Sequence, residues 1–322
     1  MPKSRKRLPR RARRPSGGQS RELQIAEFFE QTVARHKVNS PHRVLYHYTT
    51  YSGALNILSS QEFWSTAHDC TNDEAELASA HSIVTEVAQV CRQRYQMGTP
   101  AEVLDAFLAT YPGSMMAQMR TTYLSCFSLA RDDENQWRVY GDGGRGICLG
   151  IRVLEEPPPK SRQIISIRTE VEYSESALRE WLAAEFEKIC LVLARFQPSC
   201  NNCEAGVSAL HRIAAFASIR AKRENFRSEQ EVRHITFSRR KSGVVPKERL
   251  SAAGKVVRYL PVSLRADGKL IALDEIIIGA NQDAAEAREQ LENLLAAKGY
   301  TVGSIEYPRI TVSSTSAFSS QS

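Results

Sequence analysis

Apolar positions along the chain switch several times between a two-residue and a 3.6-residue spacing. The run Val44-Leu45-Tyr46-His47-Tyr48-Thr49-Thr50-Tyr51 is rich in aromatic and β-branched residues and reads as a short strand. Ala54, Leu55, Ile57 and Leu58 follow at helical spacing, and Thr49, Thr50 and Ser52 between them are all candidate N-caps. His47 therefore stands near a strand end, at the turn into a helix. A polar side chain there can reach a ligand while the sheet holds its backbone.

Upstream, Leu23, Ile25, Ala26, Phe28, Phe29 and Val33 predict an amphipathic helix over 21–37. Downstream, Phe63-Trp64 opens a short extended piece. Thr71, Asn72 or Asp73 can cap a long helix running to about Met97, and a shorter helix spans roughly 100–111. Thr121–Ser128 reads as a central strand. The polar loop 131–136 leads to Trp137 and Tyr140, and Gly141, Gly143, Gly144 and Gly146 form a turn into the strand 147–151. A strand at 164–173 and helices at about 175–196 and 204–225 come next. Further strands are expected at 231–237, 256–264 and 271–278, then a helix at 282–298 and strands at 302–307 and 310–313. Strands of antiparallel length among unevenly placed helices indicate an α+β fold. The expected organisation is a tail at 1–20, one domain at 21–315 with helical insertions about 73–112 and 175–226, and a frayed end at 316–322.

The 322 residues, 42% of them hydrophobic, suffice for a sizeable core. The net charge of +7 is unevenly placed. Residues 1–14 hold eight basic side chains and no acid, so the remainder is one unit negative. With Pro2, Pro9, Pro15, Gly17 and Gly18 and no apolar period, residues 1–20 cannot bury enough surface to order themselves. Such a tail either contacts nucleic-acid phosphates or serves as a solvated terminus. The sequence contains no run of eighteen apolar residues, and no apolar segment follows the N-terminal charges. Seven scattered cysteines fit reduced thiols. The expectation is a cytoplasmic protein without membrane contact.

Motifs with independent chemistry are few. Cys200 and Cys203 have C-x-x-C spacing near His211, but no second such pair completes a zinc site, so ordinary thiols in a loop between helices are expected and no metal. Gly141-Asp142-Gly143-Gly144 precedes a strand and is a hairpin turn rather than a phosphate loop. A lone strand histidine is more often a satisfied structural residue than a functional one.

Three stretches taken together carry more: LYHYTTYSGALNIL, TNDEAE and CFS…ENQWRVYGDGGRGICLGI. With Glu229-Gln230-Glu231-Val232-Arg233 and the closing LDEIIIG, they resemble, over roughly residues 43–315, a bacterial family described as a domain of unknown function. Its opening in turn is similar to the first motif of the histidine-tyrosine-glutamate ADP-ribosyltransferases. That resemblance implies an ADP-ribosyltransferase-like split β-sheet core with helical insertions, and NAD as substrate. It implies that His47 bonds the adenosine ribose, that Tyr140 stacks on nicotinamide with Trp137 as rival, and that Glu231 binds the nicotinamide ribose with Glu229 as rival. Tyr48, Thr49, Asp73 and Ser128 join the implied cofactor-binding set, although Asn72, Asp73 and Glu76 suit the start of a helix equally well. For Tyr140 and Trp137 core packing is the competing role. For Glu231 it is an ion pair with Arg233.

The implied activity is transfer of ADP-ribose to a macromolecule, or hydrolysis of NAD, with a place in phage defence. The alternatives are a non-catalytic ligand-sensing or antitoxin-like module, and a nucleic-acid-binding protein acting through its tail. Deletion of residues 1–14 tests the tail: if it contacts phosphates, the salt dependence of RNA or DNA binding flattens on truncation. An unchanged slope leaves the tail as a solvated terminus.

Overall fold

The structure, a computed structural model, describes residues 44–71, 74–152, 164–195, 200–238, 245–250, 254–266, 269–270, 273–299 and 308–315. The sequence-based expectations for the tail, the helix at 21–37, Asn72 and Asp73, the strand at 302–307 and the terminal end lie outside these residues, as does the side chain of Glu76.

Strand β1 (Val44–Thr49) runs into helix α1 (Tyr51–Ser60), whose N-cap is Thr50: its hydroxyl accepts from the Gly53 N–H at 3.1 Å. Strand β2 (Glu62–Ala67) follows, then α2 (Glu74–Arg94) and α3 (Thr99–Thr121). Helix α3 does not stop at Tyr111 as the sequence predicts but passes through Pro112. Tyr111 and Met119 are buried on either side of the proline, and their packing outweighs the hydrogen bond it removes.

After β3 (Thr122–Ser128), the loop expected at 131–136 instead winds into a short helix, α4 (Glu134–Val139), because Asp133 caps it through the Gln136 N–H. Then come β4 (Ile147–Arg152), β5 (Ile164–Glu170), α5 (Glu175–Leu193), α6 (Cys200–Arg220) and β6 (Glu231–Ser238). Helix α6 starts and ends some four residues earlier than its pattern suggests. Cys200 and Cys203 thus lie in its first turn rather than in a loop, with the Cys203 thiol 3.8 Å from the Glu102 carboxylate. Strands β7 (Lys247–Leu250) and β8 (Val256–Ser263), the two-residue strands β9 (Arg265–Ala266) and β10 (Lys269–Leu270), β11 (Leu273–Ile278), α7 (Ala284–Ala297) and β12 (Arg309–Val312) complete the chain.

The architecture is α+β. Among the described residues, ten strands form one mainly antiparallel sheet in the order β12-β11-β4-β1-β3-β2-β8-β7, with β6 pairing β3 and β5, and only β11 and β12 pair in parallel. One face of the sheet packs on α1 and α7 through Leu45, Leu58, Leu149, Ile276 and Leu291. On the other face, Leu124, Ile167 and Ile235 meet Phe216 and Ile219 of α6. Helices α2, α3, α5 and α6 share a separate core around Phe107, Tyr111, Phe186 and Leu210. The two helical insertions thereby become one layer. Among the described residues, no helix is long and apolar enough to cross a membrane.

Strand β3 sets the site. Along one edge it pairs β6 over its whole length, from Thr122↔Phe237 to Ser128↔Glu231. Along the other edge it meets β1 only at Tyr46↔Ser128 and β2 only at Tyr123↔Ala67 and Leu124↔Thr66. Ser125, Cys126 and Phe127 have no register partner on that edge, and the sheet splits there.

Gly146 fixes the neighbouring turn, since a Cβ at this position would overlap the Thr49 carbonyl. Gly113 in α3 has open space around it. We therefore expect Gly146→Ala to destabilise by about 1–3 kcal/mol, because backbone cannot yield. Gly113→Ala should stabilise by about 0.5–1 kcal/mol through helix propensity. Denaturant melts of the two variants check both signs.

Candidate functional site

A cleft of about 910 Å³ opens at the split, between β1 and β2 and over the free edge of β3. His47, Tyr48, Thr49, Ser128, Tyr140, Glu229 and Glu231 all line it. Residues facing each other across an antiparallel pair share a face. Glu231, opposite Ser128, therefore lies on the α6 side of the sheet, while His47 lies with Phe63 and Phe127 on the α1 side. The break in the sheet joins the two sides.

The His47 ring stands edge-on to Phe63 at 5.2 Å and tilted against Phe127 at 5.7 Å. Its Nδ1 lies 3.0 Å from the Cys126 carbonyl, part of the unpaired edge. A carbonyl only accepts, so Nδ1 carries the proton and Nε2 is left as an acceptor. Burial lowers the His47 pKa, against the opposing pull of the Cys126 carbonyl, so the ring is neutral at pH 7. The N-terminus of α1 opens into the same space through Thr50, Ser52 and Gly53.

On the α6 side the site is a chain of charges. Arg233 donates to Glu231 through Nε at 2.8 Å and through a second nitrogen at 3.2 Å, and also to the Ile219 carbonyl at 2.7 Å. It thus ties the start of β6 to the C-terminal turn of α6, where a cation is favoured. Just beyond α6, Lys222 donates to both Glu229 and Glu231. Tyr140, the C-cap of α4, donates to the other oxygen of Glu229 at 3.0 Å. Glu229 is not on the strand: it ends a 3-10 turn, and Gln230 is left-handed with φ 45°. That kink turns both carboxylates onto one ammonium.

Glu231 is only 5% exposed. Burial raises its pKa, but Arg233 and Lys222 overcome this and hold the carboxyl at about 2. Burial opposes the charge on Lys222, yet Glu231 and Glu229 push its pKa upward. The pairing of Glu231 with Arg233 weighed from the sequence is present, and it lies inside the cleft. Burial, with the Arg233 charge, holds the neighbouring His68 near 3, only partly offset by Glu231.

The other sequence-predicted residues divide. Tyr140 is 44% exposed, with its ring available to the cleft. Thr49 is half-buried at the head of α1. Tyr48 lines the cleft but is buried edge-on against Trp137, and its hydroxyl donates to the Ala130 carbonyl and accepts from the Asp133 N–H. Ser128 donates to the Glu229 carbonyl and accepts from the Ala130 N–H. Both hydroxyls hold the loop beside the site and are committed to backbone. Trp137 is not brought to the cleft: it is fully buried, with its indole N–H on Asp132, so it does not compete with Tyr140 for a ligand. Lys222, His68 and Cys126 were missed, and Arg233 was weighed only as an ion-pair partner of Glu231. Lys222 sits in a run of charges that reads as a solvated helix end, and nothing in the local pattern distinguishes it.

The arrangement offers a neutral histidine acceptor, an exposed aromatic ring, a carboxylate ionised at neutral pH and a helix N-terminus around one opening. No family model, curated protein or solved structure matches the chain.

His68 generates a pH test. Its folded pKa of about 3 lies below the ordinary 6.5, so on acidification the unfolded chain binds the proton first. Stability is present above pH 6.5 and drains as pH falls toward 3. Glu231 and His47 act in the same direction. We expect His68→Gln to reduce the loss between pH 7 and pH 5 by on the order of 2 kcal/mol in denaturant melts. Equal losses in variant and wild type would refute the assignment.

Proposed function

We propose that the cleft binds NAD and that the protein is ADP-ribosyltransferase-like, moving ADP-ribose to a macromolecular acceptor or to water. The observation that carries this reading is that His47, Tyr140 and Glu231, from three separate elements, line one cleft at a split in the sheet. In this reading, the family resemblance drawn from the YHYT, TNDEAE and E-x-E-x-R stretches describes the whole core.

The chemistry follows from the residue types. Breakage of the ribose–nicotinamide bond sends the electron pair out with nicotinamide and leaves an oxocarbenium-like charge on the ribose. The ionised Glu231 carboxylate stabilises that charge. Tyr140 supplies a flat face for the nicotinamide ring. The Nε2 atom of His47 accepts from a hydroxyl of the adenosine ribose, and the amides at the head of α1 suit the pyrophosphate. The acceptor nucleophile, or water, then takes the ribose carbon.

One observation favours a second reading. Two carboxylates and two cations balance on the α6 side, and both oxygens of Glu231 are engaged. Charge already neutralised stabilises a developing cation less, which suits a module that senses the dinucleotide without cleaving it.

Calorimetry with NAD and the time course of nicotinamide release separate the two. His47→Ala is expected to weaken NAD binding, as loss of a contact made equally in ground and transition states. Glu231→Gln should retain most of the affinity yet slow release on the order of 10²–10³-fold, with Glu229→Gln as the internal control. Loss of release in Glu229→Gln with none in Glu231→Gln moves the carboxylate role to Glu229. A wild type that binds NAD without releasing nicotinamide in cell extract favours the sensing module, and one that does neither refutes both readings.

A further inference from the structure

At the outer end of the same cleft, which Trp64 and Arg249 also line, the sheet carries a feature that the NAD reading leaves unused. Trp64 on β2 is 40% exposed and stacks on Tyr259 of β8, with centroids 4.7 Å apart and planes 30° from parallel. The Arg249 guanidinium of β7 lies 6.0 Å from the Trp64 ring. Register places these groups together. Thr66 pairs Tyr259 and Trp64 pairs Pro261, while Lys247 pairs Tyr259 and Arg249 pairs Val257. Two-residue alternation then puts Trp64, Tyr259, Lys247 and Arg249 on one face across three strands. Because Thr66 also pairs Leu124, and Leu124 pairs Ile235, this is the α6 face, the one that carries Glu231. Glu62 is the single acid on that face among the described residues of β2, β7 and β8. The remaining acid of β7, Glu248, points to the other face, opposite Arg258.

We propose that Trp64, stacked on Tyr259 and flanked by Lys247 and Arg249, is a base-stacking platform for single-stranded nucleic acid. As the acceptor, such a strand would be presented to the Glu231 side of the cleft. That acceptor role rests on the reading under Proposed function; the binding platform does not.

A small ligand is held by enclosure, whereas this end of the cleft runs out onto the exposed strand β7. All four residues of β7 are exposed, and β7 is the last strand in the sheet order. A part-exposed ring beside two exposed cations suits a ligand that continues past the site. Stacking on an aromatic face with phosphate contacts alongside is the sequence-tolerant way single strands are bound. A duplex offers no unstacked base to the ring. The eight basic residues within 1–14 add charge of the same sign to the same chain.

The test uses the full chain and labelled oligonucleotides, single-stranded DNA and RNA in parallel, with a duplex of the same length as comparison. Anisotropy is expected to show Trp64→Ala weakening single-strand binding by about 10- to 100-fold, with Trp64→Phe restoring most of it and duplex binding little changed. Arg249→Gln should lower the slope of log affinity against log salt by about 0.7. Preference between the DNA and RNA arms names the acceptor class.

If Trp64→Ala binds both single strands as the wild type does, or if duplex binding falls equally, the platform is overturned. It is overturned too if Trp64→Ala loses NAD affinity while oligonucleotide affinity holds, because the ring then belongs to the dinucleotide. A wild type that binds oligonucleotide through Trp64 but takes no NAD refutes the reading under Proposed function and leaves the platform standing.

Discussion

Two strands compete for one edge of β3. Strand β6 occupies the opposite edge completely, so β1 and β2 must share what is left, and they take its two ends. Helix α1, which connects them, holds them apart. Three residues of β3, Ser125 to Phe127, are left without a strand partner on that edge. Buried backbone polar groups require partners, and the His47 imidazole takes the Cys126 carbonyl. The cleft, the tautomer of His47 and the opening between the two faces of the sheet all follow from this incomplete pairing.

The second constraint is electrostatic. Glu229 and Glu231 are almost fully buried, and carboxylates in such positions are costly unless neutralised. Lys222 and Arg233 neutralise them, and Arg233 also satisfies a carbonyl in the last turn of α6. The helical layer is thereby anchored to the beginning of β6 by charge as well as by apolar packing. The same pairs that make burial tolerable keep Glu231 ionised and reduce its outward field. Any chemistry at Glu231 depends on that balance, which is why a transferase and a sensor are both compatible with the same side chains.

The outer end of the sheet follows different rules. Strand β7 is exposed at every position and lies at the edge, and its lysine and arginine alternate onto the face of Trp64. Charged residues on an edge strand discourage strand addition. Here they also set positive charge beside a stacked pair of rings. One face of the sheet thus carries a buried charge network at its split and, at the outer end of the same cleft, an aromatic surface beside exposed cations.

Local pattern by itself determined the α+β class, the strand at His47 with its capped helix, the strand starting at Glu231 and most helix bodies, because burial of one face imposes a period that the sequence must carry. It did not determine the extent of α3. A proline ends a helix on local grounds, and only the neighbouring helices supply the packing that carries α3 past Pro112. Nor did it reveal α4, whose Asp133 cap sits in a run of polar residues indistinguishable from a loop. For the site, a short motif at His47 and chain order at Tyr140 and Glu231 picked out residues that line one cleft, and the pairing of Glu231 with Arg233 could be weighed, but the joining of Glu229 and Glu231 through Lys222 was not legible. Lys222 reaches both carboxylates because α6 ends over β6 and Gln230 turns left-handed, and a two-residue alternation cannot encode either fact. Trp137 shows the converse: its sequence context suits a ligand platform, and tertiary packing alone places it in the core on Asp132 and leaves the exposed ring to Tyr140.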